Sequence, residues 1–301
     1  MAQDFGEQRG KFAVESVFWR RAIDWSVSHI PVIFHRPLIW IAAFFFLFFA
    51  APGRKALLRN LRLVRPRSLR VANYFRVLRV FANFGWSMTD SAAYRLKKGR
   101  FRYELEGSRY LDQLAAAKSA IVLTAHMGNY DLGAGLFAER FHRGIKMVRA
   151  PERDPRSTEH VDRALQQASA GAVKVNYSDD GTALAFDLLN GLRSGEIISI
   201  QGDRVVGELA RAKVELFGHE VSLPNGPFAL SLVSQTPIYP LFIVRMGYRK
   251  YKIVAREPIV CFRTNGTRDE VVANAMQAWA RILEEIVQRY WPQWFAFASL
   301  S

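Results

Sequence analysis

Two hydrophobic rhythms divide this chain near residue 100. Over residues 12–99, apolar side chains recur at three- and four-residue spacing among basic ones, the pattern of amphipathic helices. Phe18, Trp19, Ile23 and Trp25 mix with charges in the first such stretch. Residues 38–51 then form an uncharged run, residues 54–63 follow a Pro52-Gly53 break, and residues 69–84 form a last helical period. From Phe101 the pattern changes to short apolar runs alternating with helical periods. Candidate strands cover 102–105, 120–124, 145–148, 173–175, 196–200, 213–217, 238–244 and 251–255. Candidate helices cover 108–117, 132–141, 157–168, 182–192, 228–234 and 268–289. Alternation at this spacing predicts an α/β fold, a mixed layered sheet flanked by helices, with a hairpin or meander late in the sequence. No internal repeat or low-complexity linker interrupts it.

Composition narrows the class. Half of the 301 residues are hydrophobic, with 22 Phe and 7 Trp, so the chain can bury a substantial core. Its one cysteine, Cys261, excludes an internal disulfide and a cysteine-based zinc cluster, and its setting in Pro258-Ile259-Val260-Cys261-Phe262 reads as a buried strand. Of the net charge of +15, residues 54–102 supply +13, from 14 Lys/Arg against the single acid Asp90. Such a concentration suits a polyanionic partner: anionic lipid, nucleic acid or an acidic protein. The neighbouring sequence favours lipid. The run LIWIAAFFFLFFAA at 38–51 would span only about 21 Å as a helix, short of a hydrocarbon core of about 30 Å. It reads as a segment entering one leaflet or lying at the interface, with the basic region on headgroups; a buried core helix is the competing reading. A signal peptide does not fit, because the run starts late and lacks a clear cleavage pattern. Residues 1–100 are therefore expected as a helical, basic, membrane-associating region, and no nucleic acid is expected as a partner.

The chemistry concentrates at 121–131. The run Ile121-Val122-Leu123-Thr124 reads as a buried strand delivering His126 to the end of a sheet, and Asp131 follows five positions later across Gly128-Asn129. In a continuous helix these two would point about 140° apart, but the Gly-Asn break permits a turn that brings Asp131 to the imidazole. A carboxylate on one ring nitrogen fixes the tautomer and frees the other as a general base for a hydroxyl. Arg149 and the Asp203-Arg204 pair also follow candidate strand ends, where open α/β sheets gather their sites. Arg149 suits phosphate recognition or stabilisation of developing charge, against an ordinary ion pair with Glu152 or Asp154. Asp203 and Arg204 are expected to orient the acceptor or hold Arg149, against a purely structural Asp–Arg pair, and Asn129 to touch an acyl carbonyl or simply form a turn. Neither His-Glu-x-x-His, a P-loop nor a dinucleotide glycine signature is present, and no G-x-S-x-G elbow supports a serine acyl-enzyme.

His126-x4-Asp131 resembles the His-x4-Asp/Glu motif of the glycerolipid and lysophospholipid acyltransferases. The closer likeness is to the late lauroyl and myristoyl acyltransferases of lipid A biosynthesis and their phosphatidylinositol-mannoside relatives. Met147-Val148-Arg149-Ala150-Pro151 with Asp154-Pro155 looks like the family's arginine segment, and Gln201-Gly202-Asp203-Arg204 like its acidic motif. Phe217-Gly218 with Pro224-Asn225-Gly226-Pro227 resembles its hairpin and following turn, and Trp291-Pro292-Gln293-Trp294 its closing segment. The likeness runs in consistent order over roughly residues 12–297. It implies an acyltransferase domain at 101–301 that moves a fatty acyl chain from an acyl thioester to a hydroxyl of a lipid A precursor or related glycolipid. The donor it implies is acyl carrier protein, with acyl-CoA as the alternative; no cofactor or metal is expected. The implied location is the cytoplasmic face of the inner membrane, held by a monotopic or single short segment. Two alternatives stand beside this: a lysophospholipid or phosphatidylinositol-mannoside-type acyltransferase using acyl-CoA, and a non-catalytic membrane or nucleic-acid binding protein.

Overall fold

The computed structural model describes residues 17–150, 155–169, 171–177, 181–205, 210–262 and 266–300. Helices α1 (Val17–His29), α2 (His35–Phe49), α3 (Ala51–Val64) and α4 (Arg70–Arg95) precede the sheet. The remainder interleaves β1 (Arg102–Glu106), α5 (Ser108–Ala116), β2 (Ala120–Thr124), α6 (Tyr130–Phe141), β3 (Ile145–Arg149), α7 (Pro155–Ala168) and β4 (Val173–Tyr177). Then come α8 (Gly181–Arg193), β5 (Ile197–Gln201), β6 (Arg211–Leu216), β7 (His219–Pro224), α9 (Gly226–Ser234), β8 (Ile238–Gly247), β9 (Lys250–Ala255) and α10 (Arg268–Tyr290). Seven strands form one sheet in the order β1-β9-β8-β2-β5-β3-β4, while β6 and β7 pair as a separate antiparallel hairpin. All neighbours in the large sheet are parallel except β8 and β9. This is the mixed, helix-flanked α/β architecture expected from the sequence. The expected turn at Gly218 is the corner of the hairpin, but its returning strand at residues 219–224 carries His219, Glu220 and a terminal Pro224 and did not read as one.

Every residue of β2 is buried, as a central parallel strand covered on both faces should be. Its alternate side chains feed two cores. Ile121 and Leu123 join Leu188 and Leu192 of α8, Phe228 of α9 and Trp279 of α10 on one face. Ala120 and Val122 join Leu111 and Leu114 of α5 and Leu132 and Phe137 of α6 on the other. The site therefore grows from a strand buried along its whole length.

A third core ties α2, α3 and α4 together through Ile39, Leu57, Leu61, Val77 and Phe81, and it also takes in Phe295. The segment after α10 crosses into this helical region. Asn60, 2% exposed on α3, donates to the carbonyls of Ala296 and Ala298 and accepts from the Leu300 amide. The rings of Phe81 and Phe297 stack at 5.8 Å. On α2, by contrast, Ile41, Phe44, Phe48 and Phe49 are exposed, and only His35, Ile39 and Ala43 are buried. The stretch Val32–Phe49 is long and apolar enough to cross a membrane by length and composition, and 17% of it is buried within the protein. The core-helix reading of this run is thus not met within this chain.

Candidate active site

Strand register assembles the site. Thr124 at the end of β2 pairs with Gln201 at the end of β5, and the Gly202 amide continues the ladder to the Thr124 carbonyl at 2.9 Å. His126 and Asp203 each lie two residues beyond these paired ends, so the two turns bring them face to face. Nδ1 of His126 meets Oδ1 of Asp203 at 2.7 Å, and the His126 backbone amide donates to the same oxygen at 3.1 Å. The second carboxylate oxygen accepts the indole N–H of Trp294 at 2.9 Å. Behind the turn, Trp279 donates its indole N–H to the Gly202 carbonyl at 2.9 Å.

The Asp203 side chain is fully buried, whereas 14% of the His126 side chain reaches solvent. Burial alone would raise the Asp203 pKa, but the charge and hydrogen bond of His126, with Arg204 and the Trp294 N–H, bring it down to about 2. Asp203 is therefore a permanent anion at neutral pH. Burial pushes the His126 pKa below its ordinary value and Arg204 and Arg149 add to this, against the opposing pull of Asp203. The imidazole is thus neutral at pH 7, with its Nδ1 proton donated to Asp203 and Nε2 left as the acceptor.

A pH profile follows from the sign of that shift. A base works only unprotonated, so a lowered pKa keeps it competent further into acid. The half-maximum of kcat/KM on the acid limb is expected below about 6.5, the unperturbed imidazole value. A half-maximum at or above that pH in a steady-state profile would contradict a buried, neutral His126.

Asp131 does not take the place expected for it. Its carboxylate binds Arg149 Nη1 at 2.6 Å, not the imidazole. The physical reason is the helix: Asp131 lies in the first turn of α6, which starts at Tyr130, and its side chain projects toward the end of β3. Asp203, expected to orient the acceptor or hold Arg149, is the imidazole's partner instead. Tyr130 stands between the two pairs, its ring 6.2 Å from that of His126 and 5.6 Å from the Arg149 guanidinium carbon. Arg204 is half-buried close enough to act electrostatically on His126, Asp203 and Tyr130. Among the described residues, Arg204 Nε is a buried donor with no hydrogen-bond partner, while the Gln201 amide faces the Tyr130 hydroxyl.

Asn129 is turned away from this cluster. It is 2% exposed and caps α6, its Oδ1 accepting from the Leu132 amide at 3.2 Å and the Ser91 hydroxyl at 2.9 Å. Its Nδ2 donates to the Ser87 carbonyl of α4 at 3.0 Å. Gly128 beside it has φ of +60°, and a Cβ there would meet the Ile243 carbonyl oxygen at 1.7 Å. Only glycine allows the loop to press this closely on β8. Glu152 and Asp154, the ion-pair partners considered for Arg149, lie outside the described residues, as does Pro151. Cys261 is buried, its thiol pKa pushed up by burial.

A neutral histidine held by a buried carboxylate, with two arginines nearby, matches the chemistry of direct acyl transfer to a hydroxyl. Residues 12–300 match the family profile described as bacterial lipid A biosynthesis acyltransferase. The chain belongs to that family. Acyl transfer in lipid A biosynthesis is accordingly its general activity. No curated protein matches the chain.

Within this family member, three residues of the cluster escaped the reading of the sequence. Tyr130 and Gln201 adjoin singled-out positions, and the β2–β5 adjacency would have exposed Gln201 and Asp203 together. Trp294 carried only a resemblance, because nothing in its local sequence shows that residues 294 and 203 meet.

Proposed function

We propose that the protein is a membrane-associated O-acyltransferase that moves a fatty acyl chain from acyl carrier protein to a hydroxyl of a lipid A precursor. The observation that carries this reading is the His126–Asp203 pair at 2.7 Å, on a strand-end turn beside Arg149 and Arg204. Nε2 of His126 removes the proton of the acceptor hydroxyl as its oxygen attacks the thioester carbonyl. The C=O pair moves onto oxygen, and the buried, unpartnered Arg204 Nε donor suits stabilisation of that oxyanion. Collapse breaks the carbon–sulfur bond, and the imidazolium returns its proton to the departing thiolate. Asp203 stabilises the transient imidazolium and is too acidic to take its proton. Arg149, kept in place by Asp131, suits a phosphate of acceptor or donor.

The exposed apolar face of α2 is read as the membrane seat on the cytoplasmic face of the inner membrane. The exposed basic side chains Lys55, Arg59, Arg62, Arg65, Arg67 and Arg70 supply attraction to anionic headgroups and to an acidic carrier. As a 15-residue helix of about 22 Å, α2 is suited to one leaflet.

The test is reconstitution of the full chain on anionic vesicles with a lipid A precursor. Acyl carrier protein and CoA thioesters are compared as donors, and a lysophospholipid as acceptor. Acylation of the sugar-bearing acceptor, faster from the carrier protein, is the expected result; acylation of the lysophospholipid alone would replace this reading. In the same preparation, high salt should leave the protein on the vesicles, since apolar insertion is not screened as charge attraction is. Quantitative release of folded protein by salt would remove the membrane role of α2.

A further inference from the structure

We infer that Trp294 is a positioning residue for the His126–Asp203 pair, and that the segment around it is a clamp on both turns of the site. The inference rests on the dyad reading above. It goes beyond it in giving a function to a residue 91 positions from Asp203 in sequence.

Three contacts converge from this one segment. The Gly128 amide donates to the Gln293 carbonyl at 2.9 Å, and the Phe295 amide donates to the His126 carbonyl at 2.7 Å. Met127 and Trp294 form an antiparallel bridge between these bonds, so residues 293–295 add a short strand to the histidine turn. From the middle of that strand the Trp294 indole reaches Asp203 Oδ2 at 2.9 Å. The histidine's backbone and its partner's side chain are therefore held by one rigid piece of chain.

The indole N–H has a particular target. A buried Trp N–H needs an acceptor, and a backbone carbonyl would serve, as Gly202 serves Trp279. Trp294 instead donates to a fully buried carboxylate oxygen whose partner oxygen already binds His126. With both oxygens engaged, the carboxylate is fixed in orientation and presents Oδ1 to Nδ1. The Trp294 ring is 3% exposed, 6.2 Å from that of Phe217. A 3₁₀ turn at Trp291–Gln293, with Pro292 inside it, sets the entry angle of the strand.

The decisive experiment removes the N–H, and in one variant keeps the bicyclic ring as well. Trp294→Phe, and a full chain carrying benzothienylalanine at 294, are compared with Phe217→Leu and Asp203→Asn in the same assay. Losing one donor makes the Asp203 carboxylate more basic and strengthens its hold on the imidazolium. The groups facing His126 are Asp203 and Arg204 after β5, Arg149 on β3, and Tyr130 and Asp131 on α6; the two substitutions at 294 change none of them directly. The acid limb of kcat/KM is expected to move up by roughly half a unit in both variants at 294. Turnover should fall about 10–100-fold with KM held, as when a partner orienting a functional histidine is lost. Phe217→Leu loosens the packing of the ring and should leave the limb in place. An unmoved limb in the benzothienyl protein, or an equal shift in Phe217→Leu, would overturn the positioning role and leave Trp294 as packing. Wild-type rates in Asp203→Asn would instead overturn the dyad itself.

Discussion

His126→Ala is expected to lower acyl transfer by about 10²–10⁴-fold while the protein stays folded. The magnitude is that of general-base catalysis, the role proposed for this imidazole, whose Nδ1 is held by Asp203. Folding should survive because the His126 side chain holds no hydrophobic position in β2; the turn is secured through its backbone, by the Asp203 carboxylate and the Phe295 amide. The measurement is the initial rate at saturating thioester and acceptor, with circular dichroism and thermal melting on the same samples. Turnover within twofold of wild type would take His126 out of the chemistry.

Asp203→Asn should be at least as damaging, on the order of 10⁴-fold, and much worse than Asp131→Asn. An amide at 203 no longer supplies the anion that fixes the Nδ1 proton and offsets the imidazolium, and its NH2 faces either Nδ1–H or the Trp294 N–H, donor against donor. Asp131→Asn leaves that pair intact and weakens the hold on Arg149. Its cost should fall on KM for the phosphate-bearing substrate, with the acid limb of the pH profile in place. Parallel kinetics of the two purified variants decide the ranking. If Asp131→Asn abolishes turnover while Asp203→Asn keeps it, the carboxylate that matters is the one nearer in sequence.

The contrast between these carboxylates measures what the sequence could disclose. Residues 120–124 read as a buried strand because their periodicity is local, and the structure places β2 on the same bounds. The positions of His126 and Asp203 just beyond strand ends were legible for the same reason, whereas Arg149, expected after its strand, is the last residue of β3. Pairing was not. Asp131 is five residues from His126 and invites a local turn, but α6 begins at Tyr130 and fixes where its first carboxylate points. Asp203 reaches the imidazole only because β5, and not β3, lies beside β2, a fact of strand order that no local spacing encodes. The exposed run at 38–51 was readable as apolar, and it required the packing of α3 and α4 to learn which of its faces stays uncovered. Asn129 offered two readings, a contact to the acyl carbonyl or a turn, and its hydrogen bonds go to α4 and to capping α6, in line with the turn.

The crossing of residues 293–300 into the helical region has a consequence for the order in which the protein comes to life. On the ribosome α2 is complete 245 residues before Trp294 is made. At typical elongation rates that interval is on the order of 10–50 s. During it the apolar helix is free to find lipid, while the slot beside Asn60 and the cradle of the imidazole both wait for the same late segment. On the proposed membrane reading, insertion of α2 precedes completion of the site in time, and one late stretch of chain closes the helical region and the histidine turn together.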